Sequence, residues 1–335
     1  MPAKLTPMMQ QYMQVKEQYP DCILMYRLGD FYEMFFEDAL TASKELEIVL
    51  TGRDCGLAER APMCGVPFHA VEMYVNRLIS KGYKVAICEQ MTDPKESKGL
   101  VERDVIRVIT PGTVIEESML SERENNYLAA LYLSETDLGM AYCDVSTGGF
   151  YVLELHGSNW AGELMDELAR IQPTELVAND ALFLQELLVK RLQSSYYLQC
   201  LGSDAFDESL AGSRMLRHFQ KANLKELGCD GITCGISAAG ALLSYLEDTQ
   251  KNALTHIRNV RVVSPGKYMR IDAASRRNLE LTETMRGGEK RGSLLWVLDK
   301  TKTAMGSRLL RSWLEKPLLS PKRINARLTA VAELT

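Results

Sequence analysis

The pattern of apolar and polar positions divides the chain into three stretches. Residues 22–28 (C-I-L-M-Y-R-L) form a short, largely apolar run closed by Gly29, as expected of a buried strand. The pattern then predicts a helix at once. Asp30 is a suitable N-cap, Glu33 stands three residues on as in a capping box, and Phe35, Ala39, Ala42 and Leu46 recur at helical spacing. A second helix over about 70–81, stopped by Gly82, leads to strands over 84–88 and 105–109. Thr110-Pro111-Gly112 punctuates the chain, and the polar, acidic stretch 116–126 reads as a linker. Residues 1–112 thus make a mixed α/β domain, and 113–126 a connection to the next.

Strands over 127–133, 140–145 and 150–155, with turns at Asp137-Leu138-Gly139 and Thr147-Gly148-Gly149, predict an antiparallel meander. Helical patterns over 160–171, 181–193 and 236–251 surround two further strands at 174–178 and 195–200, so residues 127–251 form an α/β domain with a mixed sheet. After Pro265-Gly266 the chain turns helical. Asp272 caps a helix running to about Thr284, and 294–298, 305–314 and 321–334 follow with Leu, Trp and Ala repeats. The helical block 252–335 stops without a terminating signal, as expected of a truncated chain.

At 335 residues, 46% hydrophobic and 25% charged, the chain has room for two or three cores and is neither disordered nor fibrous. No apolar run approaches a membrane span and no basic-then-apolar leader opens the chain, so a cytoplasmic protein is expected. Eight cysteines without a C-x-x-C pair, beside four histidines, spell out no zinc cage or redox motif and read as reduced core residues. Net charge −5 conceals an asymmetry: residues 1–112 carry −3, 113–251 carry −12 and 252–335 carry +10. The middle block is repelled by phosphate, whereas the last either attracts polyanions or presents solvated basic helix faces.

Gly29-Asp30-Phe31-Tyr32-Glu33 places an aromatic ring and a carboxylate two residues apart at a strand-to-helix corner. From the residues alone, Phe31 is a hydrophobic staple or core residue and Glu33 a capping-box acid, or the two form a binding pair. The surrounding sequence extends the pattern. Thr6-Pro7-Met8-Met9-Gln10-Gln11-Tyr12, Gly29 to Glu33, Gly65-Val66-Pro67-Phe68-His69-Ala70, Ala86-Ile87-Cys88-Glu89-Gln90 and Thr110-Pro111-Gly112-Thr113 follow in order. His256-Ile257, Asp272-Ala273-Ala274-Ser275-Arg276-Arg277-Asn278-Leu279-Glu280 and Met305-Gly306-Ser307-Arg308-Leu309-Leu310 complete the series. Together these motifs resemble the N-terminal portion of the bacterial MutS family of DNA mismatch repair proteins along the whole chain.

The resemblance implies an α/β plus α architecture: a mismatch-binding domain over 1–112, an RNase H-like connector over 127–251, and the beginning of a helical lever over 252–335. It places Phe31 and Glu33 on the family's F-x-E motif, with the ring as a minor-groove wedge and the carboxylate as a hydrogen-bond acceptor for a displaced base. His69 is a second candidate for DNA backbone contact, or a satisfied local histidine. The implied partners are mismatched duplex DNA and, through the connector, a MutL-type protein. The family's ATP and magnesium site and main dimer interface lie in a domain beyond residue 335. The chain itself is therefore expected to hold no cofactor, to turn over no ATP and to be monomeric.

Two segments imitate other chemistry. Gly287-Gly288-Glu289-Lys290-Arg291-Gly292-Ser293 resembles a phosphate loop, but Ser293 stands where the lysine belongs and no buried strand precedes it, so it reads as a turn. Asp144, at a strand end in an RNase H-like domain, raises a rival reading as a metal-dependent nuclease with Glu163, Asp166 or Asp180 as partners. Their spacing does not mark them as a set, and the −12 block disfavours a DNA substrate.

Overall fold

A computed structural model describes residues 5–92, 100–251, 254–264, 266 and 268–334, which form two compact units. The first comprises residues up to 120 together with 243–256. Its elements are α1 (Pro7–Gln18), β1 (Cys22–Leu28), β2 (Phe31–Phe35), α2 (Phe36–Leu46), β3 (Thr51–Arg53), β4 (Ala61–Pro67), a 3-10 turn (Phe68–Ala70), α3 (Val71–Ile79), β5 (Lys84–Gln90) and β6 (Arg103–Ile109). The sheet runs β3-β4-β2-β1-β5-β6, with β1 parallel to β5 and antiparallel to β2. Because β1 is central, both of its faces are covered. Leu24 and Tyr26 pack with Met9, Tyr12 and Val15 of α1, while Ile23 and Met25 pack with the α2 and α3 residues Ala39, Leu46, Val75 and Leu78. Asp38, buried in α2, accepts hydrogen bonds from Lys16 Nζ (2.8 Å), Tyr12 Oη (3.2 Å) and the Leu24 amide (3.0 Å), so its charge is compensated.

The second unit comprises residues 121–242 and 257–335. It contains β7 (Tyr127–Leu133), β8 (Leu138–Asp144), β9 (Gly149–Leu155), α4 (Trp160–Ile171), β10 (Glu175–Ala178), α5 (Asp180–Phe183), α6 (Glu186–Gln193), β11 (Tyr197–Cys200) and α7 (Glu208–Phe219). Helix α8 (Cys234–Gln250) begins in this unit, and β12 (Val260–Val262), α9 (Ala273–Asn278), α10 (Leu294–Leu298), α11 (Ala304–Glu315) and α12 (Pro321–Leu334) complete it. The sheet order is β11-β10-β7-β8-β9-β12. Strands β7, β8 and β9 form the antiparallel meander, and β10 and β11 add in parallel beside β7. This third-second-first-fourth-fifth order is the RNase H-like arrangement expected from the resemblance, extended by β12 alongside β9.

Strand β8 starts at Leu138, two residues earlier than predicted, so Leu138 and Gly139 of the expected Asp137-Leu138-Gly139 turn belong to the sheet. Three helices also differ from the sequence pattern. No helix starts at Asp30: residues 31–35 are a strand, and helix α2 starts at Phe36, which takes φ 52°. The helix expected over 181–193 is interrupted between Phe183 and Glu186. The helix capped by Asp272, whose carboxylate accepts from the Ser275 amide at 2.7 Å, ends at Asn278 rather than near Thr284. It stops in a Schellman turn. Glu280 takes φ 48°, its amide donates to Arg277 O (3.1 Å), and the Leu281 amide reaches Arg276 O (3.4 Å). With glutamate in place of the usual glycine, this stop carries no sequence signature. Pro265, half of the Pro265-Gly266 boundary, lies outside the described residues. All eight cysteines are free, and only Cys200 is exposed.

Candidate functional site

Strands β1 and β2 are joined by two residues, Gly29 and Asp30, with Leu28 paired to Phe31. Gly29 has φ +59° and Asp30 is not among the positive-φ residues, the sign pattern of a type II′ hairpin turn with glycine first. No heavy atom lies within 4 Å of a Cβ built on Gly29, so the glycine is required by the dihedral and not by crowding. Alternation along β2 then turns Tyr32 and Met34 into the core and leaves Phe31 46% exposed. The ring is therefore neither a staple nor a core residue.

The adjoining chain braces this tip. Phe31 pairs with Pro67 of β4, and the Phe68 amide donates to Asp30 O at 3.0 Å, tying the 3-10 turn to the hairpin. Arg27 lies 4.0 Å from the Phe68 ring centre and 5.3 Å from that of Tyr32, and its Nε donates to Gly29 O at 2.5 Å. Glu89 accepts from Tyr32 Oη and lies 3.8 Å from Arg27. Burial and this carboxylate push the Tyr32 phenol above its ordinary pKa. His69 is exposed in the 3-10 turn, edge-on to Phe68 at 5.8 Å. The hairpin thus brings Phe31, Phe68 and His69 to one end of the sheet, and Arg27 and Phe68 enter as residues that the sequence did not single out.

Glu33 caps nothing. It points to the same face as Phe31, but its side chain is only 15% exposed and its Oε2 lies 2.5 Å from Nη1 of Arg53 on β3, a residue 38% exposed. Strand β4 lies between β2 and β3, and Glu33 is paired there with Gly65. A Cβ on Gly65 would stand 3.3 Å from Tyr32 O and 3.4 Å from Glu33 Cγ, so the glycine leaves room for the carboxylate to cross β4 to Arg53. An ion pair between residues 20 apart on non-adjacent strands leaves no local signature, which is why Arg53 was not legible.

The two imitative segments resolve into local structure. In the Gly287–Ser293 loop, Lys290 pairs with Asp299 at 3.1 Å and Ser293 Oγ caps α10 by accepting from the Trp296 amide at 3.2 Å. Asp299 also accepts from Thr301 Oγ1 (2.6 Å) and Ser307 Oγ (2.7 Å), and these hydroxyls hold its carboxyl well below the usual range. With a depressed folded-state pKa, its contribution is present above the ordinary carboxylate range and lost only as pH falls through the lower value. Asp299→Asn is expected to cost roughly 1–3 kcal/mol at pH 7 by chemical denaturation, with the difference shrinking under strongly acidic conditions.

Asp144 is 1% exposed and accepts from Asn125 Nδ2 (2.6 Å), Ser146 Oγ (2.7 Å) and the Ser146 and Thr147 amides (3.0 and 3.2 Å), ordering the β8–β9 turn. Glu163 pairs with Arg270, Asp166 accepts from the Ala273 amide, and Asp180 lies against Cys200 Sγ. These carboxylates serve separate structural contacts, and no group of three metal-ligating side chains occurs among the described residues.

Comparison with known proteins places this geometry in a family. The family models described as MutS domain I, MutS domain II and MutS domain III match residues 6–118, 126–258 and 274–335. Relatives named DNA mismatch repair protein MutS include those of Lachnoclostridium phytofermentans, 51% identical over 99% of this chain, and Ruminiclostridium cellulolyticum, 52% identical over 98%. That of Acetivibrio thermocellus is 52% identical over 99% of the chain. The chain spans 36–38% of the length of these relatives. In order and extent, the matched segments are those of one family, and the chain belongs to the MutS family, carrying its domains I, II and III.

Proposed function

We propose that the first compact unit probes duplex DNA for mispaired or unpaired bases, with Phe31 as the wedge, Glu33 as the acceptor for a displaced base and His69 as a flanking backbone contact. The observation that carries this reading is a large aromatic ring left 46% exposed on a braced hairpin of a MutS-family chain. A ring inserted between base pairs must unstack them, which costs less where pairing is already defective. Burying the ring against a base returns about 1–3 kcal/mol. The test is a duplex-binding titration comparing a G·T mismatch, an unpaired T and a matched control at fixed salt. Equal affinity for all three would reject the reading.

In this reading, Arg53 restrains Glu33. Opening a partly exposed ion pair costs on the order of 0–1 kcal/mol, so a hydrogen-bond donor on a displaced base can compete for the carboxylate, whereas the minor groove of paired DNA presents only the guanine 2-amino donor. Glu33→Gln removes the acid and leaves Arg53 free to face phosphate. Arg53→Gln does the reverse. Matched-duplex affinity at low salt is expected to rise about two- to fivefold in the first variant and to fall by a similar factor in the second, both differences shrinking at high salt. If neither variant departs from the parent at two salt concentrations, the pair is purely structural.

For the rest of the family protein, ATP and magnesium are assigned to a domain outside this chain, which would turn over no nucleotide. The second unit would relay the state of the first to a MutL-type partner. This 335-residue chain is taken to be a monomer, and dimerisation to belong to the full-length protein.

A further inference from the structure

Within the second unit, β12, α11 and the start of α12 close over the sheet around a cavity of about 300 Å³. Six cations line it, Arg170, Arg261, Arg308, Arg311, Lys316 and Arg323, against one carboxylate, Glu315. Much of that charge has no local counterpart. Arg170 is paired with Glu167, Arg311 holds both Glu315 (3.0 Å) and Glu124 (2.8 Å), and Arg308 donates to Glu122 O at 2.5 Å. No ion-pair partner is found among the described residues for Arg261, Lys316 or Arg323. Lys316 Nζ lies 3.5 Å from Tyr142 Oη and about 6 Å from the Tyr151 and Tyr268 ring centres.

A smaller chamber of about 50 Å³ adjoins this cavity, sharing Arg170, Tyr268, Glu315 and Lys316 and adding Arg276 of α9. Glu163, Asp166 and Glu167 also line it, but each is engaged locally, by Arg270, the Ala273 amide and Arg170 respectively. Arg276 is 7% exposed, and its Nε and Nη1 have no hydrogen-bond partner among the described residues; Nη2 alone donates, to Glu315 O at 3.3 Å. Guanidinium N–H groups left buried and unpaired are costly, and a bound acceptor would relieve that cost. Burial and the Arg170 charge lower the Arg276 pKa and bring that of Lys316 to about 8. The floor consists of Tyr127, Tyr142 and Tyr151, whose phenols burial pushes upward, so they remain protonated donors at neutral pH.

An oxyanion would satisfy all of these groups at once: guanidinium forks bind phosphate in bidentate fashion, and Lys316 supplies a point charge beside them. We propose that this cavity binds a small phosphate-bearing ligand of two or more negative charges, with one phosphate held by Arg276, Lys316 and Arg170 and the remainder by Arg261 and Arg323 at the mouth. The site is separate from the DNA-probing hairpin and does not depend on that assignment.

Pyrophosphate and ADP, titrated calorimetrically into the 335-residue chain at matched ionic strength, distinguish recognition of phosphate alone from recognition of a nucleotide. Comparable affinities would assign the site to the phosphates, and tighter ADP binding would add a base contact. Lys316→Gln is expected to weaken both ligands at least tenfold, and Arg323→Gln about threefold. Arg276→Met should abolish binding while the free protein melts no lower, because the variant removes an unpaired buried charge.

The pH profile separates a direct role of Lys316 from a structural one. Glu167 and Arg170 of α4, Tyr142 and Tyr151 of the sheet, Tyr268, Arg276 of α9, and Glu315 and Arg311 of α11 surround Lys316. Since its proton leaves near pH 8 in the free protein, ADP affinity should fall between about pH 8 and 9.5, where the phosphates, whose last ionisation lies near 6, no longer titrate. Lys316→Arg should retain binding across that range. Absence of saturable binding by either ligand, or binding indifferent to Lys316→Gln and Arg276→Met, would overturn the proposal.

Discussion

Phe31→Ala is expected to bind mismatched and matched duplexes with equal affinity while retaining the parent's melting temperature. Two features combine to give this result. The ring is 46% exposed, and the buried residues on its own strand, Tyr32, Met34 and Phe35, belong to cores in which Phe31 takes no part, so truncation leaves no cavity. The hairpin itself is set by Gly29 at φ +59° and by β-ladder pairing to Leu28 and Pro67, neither of which uses the side chain. On the proposed role, what disappears is stacking on the bases, worth about 1–3 kcal/mol. That corresponds to a roughly 5- to 150-fold loss of preference for the mismatch, a range a titration resolves easily. Phe68→Ala is the informative companion, because Phe68 is also exposed but is stacked by Arg27. It should loosen the brace and weaken binding to both duplexes without removing the preference. A Phe31→Ala protein that keeps the parent's affinity ratio would reject the proposed wedge, and one that melts several degrees lower would give the ring a structural role instead.

Gly139→Ala is expected to have the largest effect on stability of any single methyl added to the second unit. A Cβ at this position would lie 1.9 Å from the carbonyl oxygen and 2.1 Å from the carbonyl carbon of Cys234, at the first residue of α8. The obstacle is backbone, so no rotamer change relieves it, and the helix must lift from β8, a strand buried at every position. Overpacking a core commonly costs about 1–3 kcal/mol, and this contact belongs at or above the upper end. A drop of roughly 6–12 °C in the melting transition follows for a unit of this size. Gly212→Ala in α7 is the opposite-sign control. Nothing lies within 4 Å of its Cβ, so replacing a helical glycine there should stabilise by about 0.5–1 kcal/mol. If Gly139→Ala melts with the parent, α8 does not approach β8 as described.

Much of the molecule was legible along the chain because its signals are local. The apolar run 22–28, the meander over 127–155, helix 160–171 and the cap at Asp272 each depend on residues within a few positions of one another. The hydrophobic pattern missed α1, β3, β4, α7 and β12. Helix α1 buries only Met9, Tyr12 and Val15 along a glutamine-rich face, and β3 and β12 are three residues long, so their stability comes from the strands and cores they join.

The sequence by itself determined the α/β-then-helical order, the family, and the aromatic-plus-acid pair Phe31 and Glu33. Tertiary structure decided how that pair is placed. Phe35, Ala39, Ala42 and Leu46 do share a helical period, and Asp30 with Glu33 has the spacing of a capping box. Pairing with β1 and β4 nevertheless draws residues 31–35 into the sheet, because Tyr32 and Met34 bury more there than one cap could return. Gly139 reads as a turn from its neighbours, yet it lies within β8 to admit a helix that starts 95 residues later. The partner of Glu33 is Arg53, two strands away, and the cations around the second unit's cavity come from segments as distant as Arg170 and Arg323. Such contacts are fixed by which strands and helices become neighbours, and long-range neighbourhood is set by the packing of the whole unit, which no local spacing encodes.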